Sequence, residues 1–186
     1  GRSVAEFVSM DKQRYRLTEL VRFHGEEYLK EALARGRGVL LISAHLGNWE
    51  IGAAAVASRG YPMNAIGTEQ RDDRITNLII QKRAECEITT VGKGFDLKAA
   101  IRCLKKGEAL AILIDQDVRD KGVVVPFLGL SASTPYGPAK IAARLGSVIL
   151  PLFMVRRGAS VHHDLYILPF PWIRPLQDIP SSTERE

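Results

Sequence analysis

Cysteine is nearly absent: Cys86 and Cys103 are the only two among 186 residues. They form no metal-type spacing and are too few for a disulfide framework, so a reducing compartment is expected. No apolar run approaches the roughly 18 residues of a membrane-crossing helix, and no secretory leader opens the sequence. Several catalytic fingerprints are missing as well. The lack of a Gly-x-Ser-x-Gly elbow argues against a serine hydrolase. The lack of phosphate-loop and dinucleotide patterns argues against nucleotide-driven chemistry. Without a basic block or a basic motif interleaved with aromatics, nucleic acid is a poor partner. Internal repeats and low-complexity segments are also absent.

What remains is ordinary globular material, 46% hydrophobic and 25% charged. A chain of this length suits one domain with a sizeable core. The net charge of +5 is spread over both halves. Such an excess suits an anionic partner: a membrane surface, a phosphorylated lipid or an acidic carrier protein. A solvated basic surface explains it equally.

Leu17, Leu20, Val21, Tyr28, Leu29 and Leu33 recur at helical spacing, so residues 4–35 read as helical, with Gly36 and Gly38 as the stop. Strands are expected at 39–43, 63–66, 88–91, 109–114, 148–155 and 165–168, and one more in GVVVPFLG, where a proline marks an edge or bend. Helices are expected at 49–58 and 72–87, around Leu97–Leu104, and in GPAKIAARLG. On 72–87 the apolar side is Ile75, Leu78 and Ile79, and Arg83 follows Ile75 and Ile79 at spacings of four. Strands alternating with helices predict an α/β fold with a mixed, largely parallel central sheet flanked by helices. In such sheets binding groups gather at the carboxyl ends of strands. His45 and Asp115 both lie just beyond such ends.

The stretch VLLISAHLGNWEIG, residues 39–52, carries the chemistry. His45 follows a buried strand, and an imidazole suits proton abstraction from a hydroxyl. Its second ring nitrogen needs an acceptor, and Glu50 is one candidate. A step of five does not align two groups on a regular helix. The pair meets only if the chain turns at Gly47, with Asn48 capping the next helix. The same residues also read as a structural histidine and a glutamate favouring a helix dipole. The adjacent pair His162-His163 has poor spacing for a metal, and none is expected.

Three further stretches extend the pattern: LKAAIRCLKKGEALAILIDQD, KGVVVPFLGLSASTPYGPAKIAARLG and VILPLFMVRRG. With SAHLGNWEIG as an H-x4-D/E motif, they resemble in order and spacing the bacterial lipid A biosynthesis acyltransferases. That family lies within the glycerolipid acyltransferase superfamily. The resemblance runs from about residue 25 to about residue 171. One departure is GTEQRDD, where the family often has an aromatic-Arg-Pro stretch, so no arginine contact is carried over there.

The resemblance implies acyl transfer from a thioester of acyl carrier protein or coenzyme A to a hydroxyl of a membrane glycolipid, a lipid A precursor first. His45 would be the general base and Glu50 would orient it. Arg83, Asp115, Asn48, Glu108 and Asp117 would bind substrate, while Phe127, Leu128, Leu152 and Phe153 would line an acyl groove. No cofactor or metal is implied. The expected place is the cytoplasmic face of the bacterial inner membrane, peripheral or anchored through sequence outside this chain. Residues 1–36 would pack as a helical segment on a core of 37–173, with 174–186 a tail of an incomplete C-terminal region. Alternatives are another acceptor, such as a mannosylated phosphoinositide or an ornithine lipid, a non-catalytic lipid-binding relative, or a thioester hydrolase using the same residues.

Overall fold

The computed structural model describes residues 2–67, 70–92 and 97–169. The N-terminal region holds three short helices, α1 (Arg2–Val8), α2 (Met10–Gln13) and α3 (Leu17–Leu20). A strand, β1 (Val21–His24), and a longer helix, α4 (Glu26–Ala34), complete it. The expectation of helix throughout 4–35 is corrected at β1. Val21 and Phe23 reach the core while Arg22 stays exposed, which is the two-residue period of a strand. The tail expected at 174–186 lies outside the described residues.

Strands and helices then alternate: β2 (Val39–Ser43), α5 (Trp49–Ser58), β3 (Met63–Ile66), α6 (Asp73–Glu85), β4 (Ile88–Val91), α7 (Leu97–Lys105) and β5 (Ala109–Leu113). A 3-10 turn at Arg119–Lys121 leads to β6 (Val123–Phe127), β7 (Leu130–Thr134), α8 (Gly137–Leu145), β8 (Val148–Arg156) and β9 (His163–Ile167). Seven strands form one sheet in the order β1-β9-β8-β2-β5-β3-β4, parallel at every pairing except β8 with β9. This is the mixed, largely parallel sheet that the sequence predicts.

The central strands lack polar alternation because both faces are covered. Val39 and Leu41 pack into the cluster around α5, and Leu40, between them, packs against residues of α7 and α8. Helix α5 is apolar all round and buried from Ile51 to Ala57, as a helix in the middle of a core must be.

GVVVPFLG forms the strand expected, with Pro126 near its end, but outside the main sheet. It forms the first arm of an antiparallel hairpin, β6 with β7, separate from the main sheet. Leu128 and Gly129 turn it, both at positive φ, 50° and 81°. Leucine is a rare turn residue, so the hairpin carries none of the usual Asn-Gly signal. Phe127 and Leu128 are 63% and 88% exposed at its tip. Neither lines the cavities beside His45 and the Glu50–Arg83 pair, which corrects the acyl-groove expectation for both.

Helix α1 is tied to the sheet by Glu6, which accepts from both Arg156 terminal nitrogens at 2.5 and 2.6 Å. Burial opposes ionisation of Glu6, but Arg156 and Asn48 outweigh it and its carboxyl lies below its ordinary value. Beside it, burial and the Arg156 charge hold the His163 imidazole below its ordinary value. Both depressed values act with one sign. What His163 gives is present in full above the ordinary histidine value of roughly 6.5 and is lost as pH falls through it, whereas what Glu6 gives is lost only below its ordinary value of 4.5. The melting temperature is therefore expected to drop between pH 7 and 5. His163→Leu should flatten that drop in circular-dichroism melts. An equally steep drop in the variant would assign it to other groups.

Candidate active site

The site begins with strand register. In the parallel pair β2 and β5, Ser43 lies opposite Leu113. The Ile114 N–H donates to the Ser43 carbonyl at 3.1 Å, carrying the ladder one step further. His45 and Asp115 each lie two residues beyond the paired ends, so they emerge side by side. Asp115 Oδ1 lies 2.8 Å from His45 Nδ1, and Asp115 Oδ2 accepts the His45 backbone N–H, also at 2.8 Å. One carboxylate thus holds both the backbone and the ring of one histidine.

Burial opposes ionisation of Asp115, but the His45 backbone N–H and ring outweigh it, and its carboxyl lies below the ordinary aspartate value. An ionised carboxylate only accepts hydrogen bonds. In the neutral imidazole the proton therefore belongs on Nδ1, which leaves the Nε2 lone pair free.

The turn after His45 forms as expected. Gly47 has φ +67°, and a Cβ there would stand 2.1 Å from the Met154 carbonyl oxygen. Asn48 caps α5, its Oδ1 accepting from the Ile51 N–H at 3.3 Å. Its Nδ2 donates to the Ser3 carbonyl and to Glu6. Asn48 is 3% exposed, so its amide is spent on structure and not offered to substrate.

The expected grip of Glu50 on the imidazole is corrected. Helix α5 starts at Trp49, and this ring meets His45 edge-on at 4.7 Å and 76°. Glu50 sits one helical step, about 100°, further round. Its carboxylate is taken by Arg83, with Nη2 to Oε1 at 2.7 Å and Nε to Oε2 at 2.9 Å. Arg83 Nη1 also donates to the Ile66 carbonyl at 3.3 Å. Three of the five guanidinium N–H donors are thereby used. The inward face of α6 is Thr76, Ile79, Ile80 and Arg83, whereas Ile75 is 50% exposed, which shifts the expected apolar side.

His45, Trp49, Glu50 and Arg83 open on one cavity of about 220 Å³, walled by Ile66, Ile80 and Leu113. A second cavity of about 50 Å³ shares the Glu50–Arg83 pair and is lined by Ala53, Ala65, Ala111 and Leu152. Of the four residues expected in an acyl groove, Leu152 lines this space, and Phe153 lines neither cavity.

Two further residues lie elsewhere. Glu108 immediately precedes β5 at its amino end, seven residues or roughly 23 Å of extended chain from Asp115, and accepts from Asn64 Nδ2 at 2.9 Å. It is not brought to the site. Asp117 accepts the Arg119 N–H at 2.8 Å and sets a turn. Trp49 is a site residue that no sequence motif singles out; its place four residues after His45 is the one signal for it.

The bacterial lipid A biosynthesis acyltransferase family matches residues 2–185. A phosphatidylinositol mannoside acyltransferase of Mycobacterium tuberculosis (strain CDC 1551 / Oshkosh) is 26% identical over 146 residues, 76% of this chain and 46% of the relative. The lipid A biosynthesis lauroyltransferase of Escherichia coli (strain K12) is 28% identical over 172 residues, 90% of this chain and 54% of the relative. The lipid A biosynthesis palmitoleoyltransferase of the same strain is 27% identical over 147 residues, 78% and 47% of the two chains. The chain thus spans about half the length of the curated relatives it matches. With the family match running over nearly every residue, this chain belongs to the bacterial lipid A biosynthesis acyltransferase family.

Proposed function

We propose that this chain is the catalytic part of an O-acyltransferase that moves a fatty acyl group from a thioester to a hydroxyl of a membrane glycolipid. The observation that carries the reading is His45, held by Asp115 through Nδ1 and opening on the cavity beside Glu50 and Arg83. Nε2 takes the proton of the acceptor hydroxyl. The oxygen attacks the thioester carbonyl, forming the C–O bond of a tetrahedral intermediate. Collapse of that intermediate breaks the C–S bond, and the Nε2 proton passes to the departing thiolate. Asp115 steadies the imidazolium between the two transfers. The two remaining Arg83 donors suit an anionic group of the acceptor. Glu50 acts through Arg83 and is a positioning residue.

The donor is a thioester of acyl carrier protein or coenzyme A, and the scheme draws on no metal or other cofactor. The acceptor is a lipid A precursor, in line with the family and with the two Escherichia coli relatives. A mannosylated phosphoinositide is the second reading, favoured by the Mycobacterium relative. The place of action is the cytoplasmic face of the inner membrane. No described helix is long and apolar enough to cross it. Attachment in this reading is peripheral or through sequence outside this chain.

Full-length protein incubated with labelled acyl carrier protein thioester and each acceptor in turn tests the reading. Mass spectrometry is expected to show one added acyl group on the lipid A precursor. Label released only as free fatty acid, with or without acceptor, would make the protein a thioester hydrolase and sink the proposal.

A further inference from the structure

The hairpin β6–β7 has no place in the chemistry above. It stands off the main sheet and exposes apolar side chains on both arms: Val124 is 72% exposed and Leu130 76%, beside the Phe127 and Leu128 tip. No charged residue occurs from Gly122 to Ala139. Exposed ribbons in water ordinarily carry charges, lysine above all, to prevent pairing and aggregation. A two-stranded ribbon is also marginal in water by itself. This one is fixed at its base, where Ser133 Oγ donates to the Arg119 carbonyl at 2.5 Å. A Cβ on Gly122 would meet Ser133, Val118 and Thr134 within 2.8 Å, so the arms close tightly there.

Cations surround that base. Lys121, Lys140 and Arg144 line, with Tyr136, an apolar groove of about 500 Å³ between α7 and α8. Arg119 lies two residues before Lys121. None of these four cations makes an ion pair among the described residues. The loop and α8 together hold two acids, Asp117 and Asp120, against these four cations. An uncharged apolar tip above a cationic collar matches a bilayer with anionic headgroups, the tip entering the acyl boundary and the collar meeting the phosphates.

We propose that the Phe127–Leu130 tip inserts into the headgroup–acyl boundary of an anionic bilayer. This rests on the glycolipid reading above and names the element that seats the protein. Residues 116–122 link Asp115 to β6, so seating the hairpin anchors the chain seven residues beyond the carboxylate that holds His45.

The test uses full-length protein and vesicles of phosphatidylcholine with or without phosphatidylglycerol, with neither donor nor acceptor present. A Leu128→Trp probe is expected to shift to the blue and to be quenched by bromine-labelled lipid only in the anionic vesicles. Phe127→Asp/Leu128→Asp should partition about 100-fold more weakly than the parent. Its transfer to detergent-dispersed acceptor should persist, and its melting curve shows whether it folds. Absent quenching, or equal partition of parent and variant, overturns the proposal. So does normal vesicle binding with lost affinity for acyl carrier protein, which would give the tip to a protein partner. Binding and transfer are read in separate assays, so failure of the acyltransferase reading and failure of the insertion reading are told apart.

Discussion

His45→Ala is expected to lower kcat by about 100- to 10,000-fold, the usual worth of a positioned acid–base group, with little change in melting temperature. The side chain is more than a third exposed and, among the described residues, bonded at its Nδ1 alone, so its removal opens no core cavity. Asp115→Asn should cost nearly as much, for a geometric reason. The two carboxylate oxygens each face an N–H of His45. An amide has one oxygen, so asparagine satisfies one donor and sets its own NH2 against the other. If the ring yields, Nδ1 becomes the acceptor and Nε2 carries the proton, the wrong tautomer for a base. Both losses should appear in kcat with KM nearly constant, measured on detergent-dispersed acceptor. A folded His45→Ala protein with parental turnover would remove His45 from the mechanism.

The second large effect is on stability. Arg83→Met leaves the Glu50 carboxylate, only 14% accessible, without its cation. Breaking a buried pair from one side costs roughly 3–5 kcal/mol. For a chain of this size that lowers the melting temperature by on the order of 10 °C. Glu50→Gln strands the guanidinium in the same way. The double variant should recover much of the loss, because no unpaired charge remains, and a double-mutant cycle from denaturant melts would show strong coupling. Additive losses would mean that the two side chains do not act as a pair. Glu50→Gln therefore separates the two roles: it leaves the Asp115 bond to the imidazole intact, so its damage should appear first in the melting curve.

The sheet was legible in the sequence because its central strands are short apolar runs cut off by glycines and polar turns, as at Val39–Ser43 and Met63–Ile66. β1 was not, since Leu17, Leu20 and Val21 mimic a helical stripe and the strand's pairing with β9 is remote in sequence. The hairpin was hidden by its Leu-Gly turn. Within the site, His45 and Asp115 were legible as strand-end residues, but which carboxylate holds the imidazole was not. Glu50 is near in sequence and Asp115 is near in space. That difference is decided by the order of strands in the sheet, with β5 beside β2, and no local pattern encodes it.

The histidine and its carboxylate are 70 residues apart and meet only because two neighbouring strands end level. Helices α6 and α7 and the turns that serve them lie between the two halves of the pair without entering that ladder. Within this intervening stretch length can change only where Trp49, Glu50, Arg83 and the β3–β5 pairing keep their places. A single residue gained between Ser43 and His45, or between Leu113 and Asp115, would point one partner at the opposite face and silence the pair.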